Sequence, residues 1–282
     1  MIKFLQEDHK YESVDTAQEI DWIGISHLIG SFEPPFDPIA GSIKAARNPK
    51  SKWYGMDPAL IRSIWKGESE RSLSAGHWYH SKEEDSVTSS PTYVFNSTIY
   101  NVVKPVIIDK IKFAPLQKLE DNHIYPEHLV YLQSEGICGQ ADRVEVSNER
   151  VSIRDFKTYK IVKESGFRNW EGITQRLLDP LSHLDNCNLV HATLQMSLYL
   201  YMILKHNPHL KPGTLTMEHI VFEQESEDQY GYPIYKKEVN GDFIVKEIRP
   251  YNIPYLKTEV LSMIAFLREN RDLIKSKING RD

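Results

Sequence analysis

Cysteine is scarce in this chain: Cys138 and Cys187 are the two thiols among 282 residues. That number excludes the disulfide framework of small secreted domains and suits a reducing compartment. It also falls short of the four thiolates that ligate an iron–sulfur cluster. Long apolar runs are missing too, since none approaches the roughly 20 residues needed to span a bilayer, and residues 1–10 do not read as a signal peptide. A soluble, cytoplasmic protein with no membrane association is expected. Positive charge is not in excess. The net charge of −5 argues against an extended nucleic-acid coat, though a local basic patch suffices for phosphate contact. Internal repeats and low-complexity tracts are also lacking.

What is present is ordinary in bulk, with 40% hydrophobic and 26% charged residues. A chain of this length can bury one substantial core. The informative part is local. Residues 136–146 and 151–157 both alternate apolar with polar positions and are rich in Val and Ile, and the polar link 147–150 between them reads as the turn of a β-hairpin. A period of two places Val151, Ile153, Asp155 and Lys157 on one face of the second strand. A carboxylate and an ammonium thus share a buried face with aliphatic side chains, which is costly unless a partner or a metal uses them. Asp142 lies on the neighbouring strand, where antiparallel pairing brings it near Asp155. Such a group can hold a divalent metal beside an activated water. The competing reading is a structural ion pair, because an isolated Asp-x-Lys is common and a second one occurs at Asp8 and Lys10.

Two flanking segments add to this. Residues 56–85 read as one or two helices opened by Asp57 and Pro58, an N-cap followed by a first-turn proline. Gly76, His80 and Glu84 recur at intervals of four and share one face of it, where a small residue permits close approach to a sheet and a histidine can offer nitrogen to a metal. Downstream, residues 188–205 are apolar on nearly every side, as in a helix buried against a sheet. Gln195 and Tyr199 are its polar interruptions, stacked on one face and in need of hydrogen-bond partners.

In this order the motifs Gly-x-x-x-His-x-x-x-Glu (Gly76, His80, Glu84), Gly-x-Ala-Asp (Gly139, Asp142), Asp-x-Lys-Thr (Asp155, Lys157, Thr158) and Gln-x-x-x-Tyr (Gln195, Tyr199) resemble the PD-(D/E)XK nuclease superfamily, and within it the RecB-like exonuclease branch that includes many phage nucleases. The resemblance covers about residues 72–205. It implies an α/β fold with a restriction-endonuclease-like core, a mixed central β-sheet flanked by helices. It further implies that His80, Asp142, Asp155 and the backbone carbonyl of Phe156 bind a divalent ion, with Glu84 either reaching it through water or only supporting the site. Lys157 would position or deprotonate the attacking water, and Gln195 and Tyr199 would orient the lysine, the metal shell or the nucleic-acid backbone. Hard carboxylate oxygens suit Mg²⁺ or Mn²⁺, and the histidine tilts the site toward Mn²⁺.

The expected activity is metal-dependent exonucleolytic hydrolysis of DNA, in recombination, repair or phage DNA metabolism, inside a bacterial cell or a phage-infected host. Alternatives are a structure-selective endonuclease, or a binding or assembly module that keeps the fold without turnover; intact Asp142, Asp155 and Lys157 speak against the latter. Lys157, Lys160 and Lys163, then Arg168, Trp170 and Arg176, are candidate contacts to single- or double-stranded DNA, with the tryptophan available to stack a base. The whole chain, 1–282, is expected to form one domain: a helical amino-terminal part to about residue 85, a catalytic α/β core over about 86–250 and a closing helix over 251–282. Residues 1–20 are expected to be loosely attached, 85–117 resist assignment, and 161–187 form a long connection.

Overall fold

The structure, a computed structural model, describes residues 2–5, 10–15, 17, 19–114, 117–169 and 171–279. In chain order the elements are β1 (Ile2–Leu5), β2 (Lys10–Ser13), β3 (Ile23–Gly24), α1 (Ile25–Gly30), α2 (Pro38–Arg47), α3 (Pro58–Thr88), β4 (Thr92–Phe95), β5 (Thr98–Val102), β6 (Val106–Ile108) and β7 (Ile111–Phe113). Then come β8 (His123–Leu132), β9 (Ile137–Ser147), β10 (Arg150–Lys157), α4 (Asn188–His206), β11 (Lys211–Phe222), β12 (Gln224–Glu227), β13 (Pro233–Tyr235), β14 (Val245–Ile253), α5 (Lys257–Glu269) and α6 (Arg271–Asn279).

The main sheet is mixed, in the order β14-β11-β10-β9-β8-β5-β4, with β3 added beside the start of β9. Strands β8, β9 and β10 form an antiparallel meander, and β11 returns parallel to β10 after the crossover through α4. The β9–β10 turn is two residues long, and both Asn148 and Glu149 have positive φ (53° and 56°), the left-handed pair that matches strand twist in a tight hairpin.

Helix α3 begins where the sequence places it. The Asp57 carboxylate accepts from the Ala59 N–H and Pro58 follows at the first helical position, while Asp37 and Pro38 open α2 in the same way. One uninterrupted helix then runs through the Gly76–His80–Glu84 face. Helix α4 is held by packing. Leu194, Leu198 and Met202 are fully buried against Val144, Val151 and Ile153 of the sheet, each contributing about 1.5–3 kcal/mol, which outweighs propensity differences of about 0.7 kcal/mol per residue. Strand β10 shows the expected alternation as far as Asp155, with Val151, Ile153 and Asp155 buried; Phe156 is then also buried, on the α3 side, and Lys157 is only half-buried.

Several expectations need correction. Residues 1–20 are not simply a loose polar segment. Strands β1 and β2 join β6 and β7, from the unassigned 85–117 stretch, in a second sheet of order β2-β1-β7-β6, and Ile2 and Phe4 pack on Leu129 and Cys138 of the main sheet. The amino-terminal part is therefore not purely helical. The closing helix is two helices, α5 and α6, which meet at Asn270. Arg268 ties this end to the β8–β9 connection through two bonds to the Glu135 carboxylate, at 2.8 and 2.5 Å. None of the described helices is long and apolar enough to cross a membrane.

Candidate metal centre

Three carboxylates lie along neighbouring strands of the meander. The β8–β9 register pairs Pro126 with Arg143 and His128 with Ala141, so Glu127 and Asp142 face each other between them. The β9–β10 pairing ends at Arg143 and Arg154, one step short of Asp142 and Asp155. There the strands part, and the Phe156 N–H donates instead to Asp142 Oδ2 at 2.7 Å. Both β8 and β9 change inward face at this point: Tyr125 gives way to Val130 and Leu132 in the core, and Ala141 to Val144 and Val146. Glu127, with φ at 49°, is the residue that absorbs the switch. This twist removes Glu127 and Asp142 from the apolar row and turns them toward α3.

From α3 comes His80, whose Nδ1 is 3.4 Å from Asp142 Oδ1 and 3.7 Å from Glu127 Oε1. One nitrogen and two carboxylate oxygens thus lie within 4.8 Å of one another. Burial disfavours a charge on His80, but the two carboxylates outweigh it and raise the imidazole to about 11. Asp142 is itself buried, yet the nearby His80 and Lys157 charges hold its carboxyl below the usual range. Glu127 is pushed up by burial, with His80 only partly offsetting it.

Glu127 is the residue that sequence reasoning missed. Glu84, expected to reach the ion through water or only to support the site, faces Lys112 Nζ at 3.7 Å and lies outside the three-residue group. Glu83 faces Arg143, 3.7 Å away. Asp155 adds a further acid at the edge of the cluster, 1% exposed, and burial raises its carboxyl to about 6, with Lys157 offsetting part of the effect. Lys157 Nζ is 2.8 Å from Asp155 Oδ2, but that oxygen receives no well-directed hydrogen bond and is a buried acceptor with capacity to spare. Burial of the ammonium is more than compensated by Asp155, so Lys157 stays protonated.

Gln195 and Tyr199 are brought to the same end of the sheet and bonded to each other, the amide donating to the phenol oxygen at 2.9 Å. The Gly-x-Ala-Asp motif has a steric reason. A Cβ at Gly139 would lie 2.7 Å from Tyr199 Cε1, so only glycine lets the phenol rest on β9. Gly139→Ala is expected to lower stability by about 1–3 kcal/mol through overpacking and to reduce any turnover by displacing Tyr199. Denaturant unfolding of the variant checks the first effect, and an unchanged midpoint would refute the contact.

A cleft of about 640 Å³ opens between α3 and residues 156–163. Gly76, His77 and His80 form one wall; Lys157, Thr158, Lys160 and Lys163 form the other, and among the described residues no Asp or Glu lines it. Gly76 leaves just enough room, since a Cβ there would come within 3.2 Å of Thr158 Oγ1. Lys160 and Lys163 are therefore at the cleft. Arg168 and Arg176 are not: the first donates to Gly172 O at 2.8 Å and the second to His183 O at 2.8 Å, both within the 161–187 connection. Trp170 lies outside the described residues.

Comparison of the chain with protein-family models, curated proteins and solved structures finds no match.

Proposed function

We propose that this protein is a divalent-metal-dependent deoxyribonuclease of PD-(D/E)XK type with a restriction-endonuclease-like core, acting as an exonuclease. The observation that carries this reading is the convergence of His80, Glu127 and Asp142, beside Asp155 and Lys157, at the head of a cleft lined by Lys157, Lys160 and Lys163. The order of α3, the β8–β9–β10 meander, α4 and then β11 parallel to β10 supports it.

The residues present fit a hard divalent cation. Two carboxylate oxygens and one imidazole nitrogen suit Mn²⁺ or Mg²⁺, and buried Asp155 Oδ2 is an acceptor without a directed donor. His80, Glu127, Asp142 and Asp155 would hold the ion, with the Phe156 carbonyl completing the donor set. Bound there, the ion supplies acidification of a water and neutralisation of phosphate charge. Lys157, anchored by Asp155, directs its ammonium at the scissile phosphate or the attacking water. His77, Lys160 and Lys163 contact the flanking phosphates, and Gln195 and Tyr199 hold the α4 side of the centre in place.

The test is cleavage of end-labelled linear single- and double-stranded DNA beside a closed circle, with Mn²⁺ or Mg²⁺ and with EDTA. Metal-dependent loss of the linear substrates with the circle intact is expected. Cutting of the circle would move the reading to an endonuclease, and no cutting with either metal would overturn it. The Lys160→Ala/Lys163→Ala double variant should bind single-stranded DNA more weakly at every sequence. Its slope of log affinity against log salt should fall by about 1.4, measured by anisotropy across a salt series.

A further inference from the structure

Resting on the metal-dependent reading, we propose that the centre takes one divalent ion per chain because the Lys112 ammonium permanently occupies the position a second would fill. Lys112 does not come from the main sheet. It stands on β7, opposite Phe4 of β1, and its side chain crosses to β8. The residue is 2% exposed, and a lysine is almost never so buried without paired anions. Its Nζ lies 3.7 Å from Glu84 Oε1 and 3.8 Å from Glu127 Oε2.

Glu127 is thereby divided between two cations. Oε1 faces His80 and the three-residue group, whereas Oε2 faces Lys112 and also accepts from the Gln140 amide. Two-metal phosphodiesterase centres place their ions about 3.5–4 Å apart, clamping the attacking and leaving oxygens between them. Here the second oxygen of Glu127, with Glu84 as the natural co-ligand, is already neutralised by a fixed ammonium. Lys112 is thus a positioning residue: it holds Glu127 to a single oxygen toward the ion and supplies a positive charge that does not depend on metal concentration. Glu84 then serves as the counter-anion of Lys112, which explains why it lies on the His80 face of α3 yet outside the ligand group.

The experiment is a count of bound Mn²⁺ on the full chain, by calorimetric titration and by electron paramagnetic resonance of the free ion. The wild-type protein is expected to bind one Mn²⁺ at saturation and Lys112→Arg one. Lys112→Met, which frees Glu84 and the second oxygen of Glu127, is expected to bind two, and Lys112→Met/Glu84→Gln one again. Two ions on the wild-type chain, or one on folded Lys112→Met, would overturn the proposal while leaving a metal-dependent enzyme in place. No Mn²⁺ on the wild-type chain would remove both. The wild-type count decides the matter even where the methionine variant does not fold, and Glu84→Gln gives a second check: it should still bind one ion, and loss of that ion would count against the proposal.

Discussion

Lys157→Met is expected to lower the rate of DNA cleavage by about 10²–10³-fold, the usual cost of removing one preorganised donor from a reacting centre, while Mn²⁺ still binds. The ammonium is 2.8 Å from Asp155 Oδ2 and 18% exposed, so it is anchored at one end and open to the cleft at the other. Two nearby lysines are otherwise engaged. Lys160 is drawn toward Gly231 O, 3.1 Å from its Nζ, and Lys112 is committed to Glu84 and Glu127 on the far side of the centre. Removing a positive charge beside the carboxylates cannot weaken a cation's attraction to them, so the loss belongs to the chemical step. Single-turnover cleavage at saturating Mn²⁺, set against a Mn²⁺ titration of the same variant, separates the two. A full rate in the methionine variant would remove Lys157 from the reaction.

The hairpin, its buried aspartate, the long helix α3 and the buried helix α4 were legible in the sequence because each rests on a local signal: alternation in Val151–Ile153–Asp155, the Asp57–Pro58 start, an unbroken apolar run around Leu194 to Met202. Glu127 carried no such signal. Its place opposite Asp142 depends on the β8–β9 register, and its orientation depends on a left-handed backbone that reverses which side of the strand faces the core. Alternation counted along residues 123–132 assigns Glu127 to whichever face its neighbours imply and misses the switch. The partner of Glu84 was hidden for a related reason. Helical spacing correctly put Glu84 on the His80 face, but its partner Lys112 arrives from β7, in a stretch whose short strands gave no periodicity to read. Likewise, β1 and β2 are too short to announce themselves: β1 becomes a strand by pairing with β7 some hundred residues away, and β2 by pairing with β1.

Charge is distributed to match the proposed chemistry. The chain is acidic overall, at −5, yet among the described residues its cleft is lined by lysines and histidines without a carboxylate. Arg143 and Arg154 do not serve that cleft. They lie over the Phe95 ring, 4.8 and 4.2 Å from its centroid, and pair with Glu145, with Arg154 also 2.5 Å from Glu218. This ladder on the sheet consumes two arginines that composition alone would have offered to DNA. Under the proposed reading, a polyanion would be steered by a few groups at the cleft opening, and its binding should depend on salt in proportion to those few contacts.

Glu127→Gln should weaken Mn²⁺ binding at least about 10²-fold, more than is lost when only a ligand's supporting partner is removed, and should cost cleavage by a comparable factor. Glutamine keeps the shape of the side chain, and its amide can still meet Gln140, so the backbone switch at this position has no reason to collapse. What changes is charge. Oε1 no longer completes the anionic pair with Asp142 before His80, and Lys112 is left with Glu84 alone. Glu84→Gln is the matched control, because it removes a carboxylate from the same neighbourhood without touching the three-residue group, and its metal affinity should stay within about threefold of wild type, the scale of a partly screened charge. Titrating both variants with Mn²⁺ and following DNA cleavage at each concentration gives opposite patterns for the two assignments. Strong loss in Glu127→Gln with near-normal Glu84→Gln supports the centre built from β8, β9 and α3; the reverse would return the ligand role to Glu84 and dismantle it.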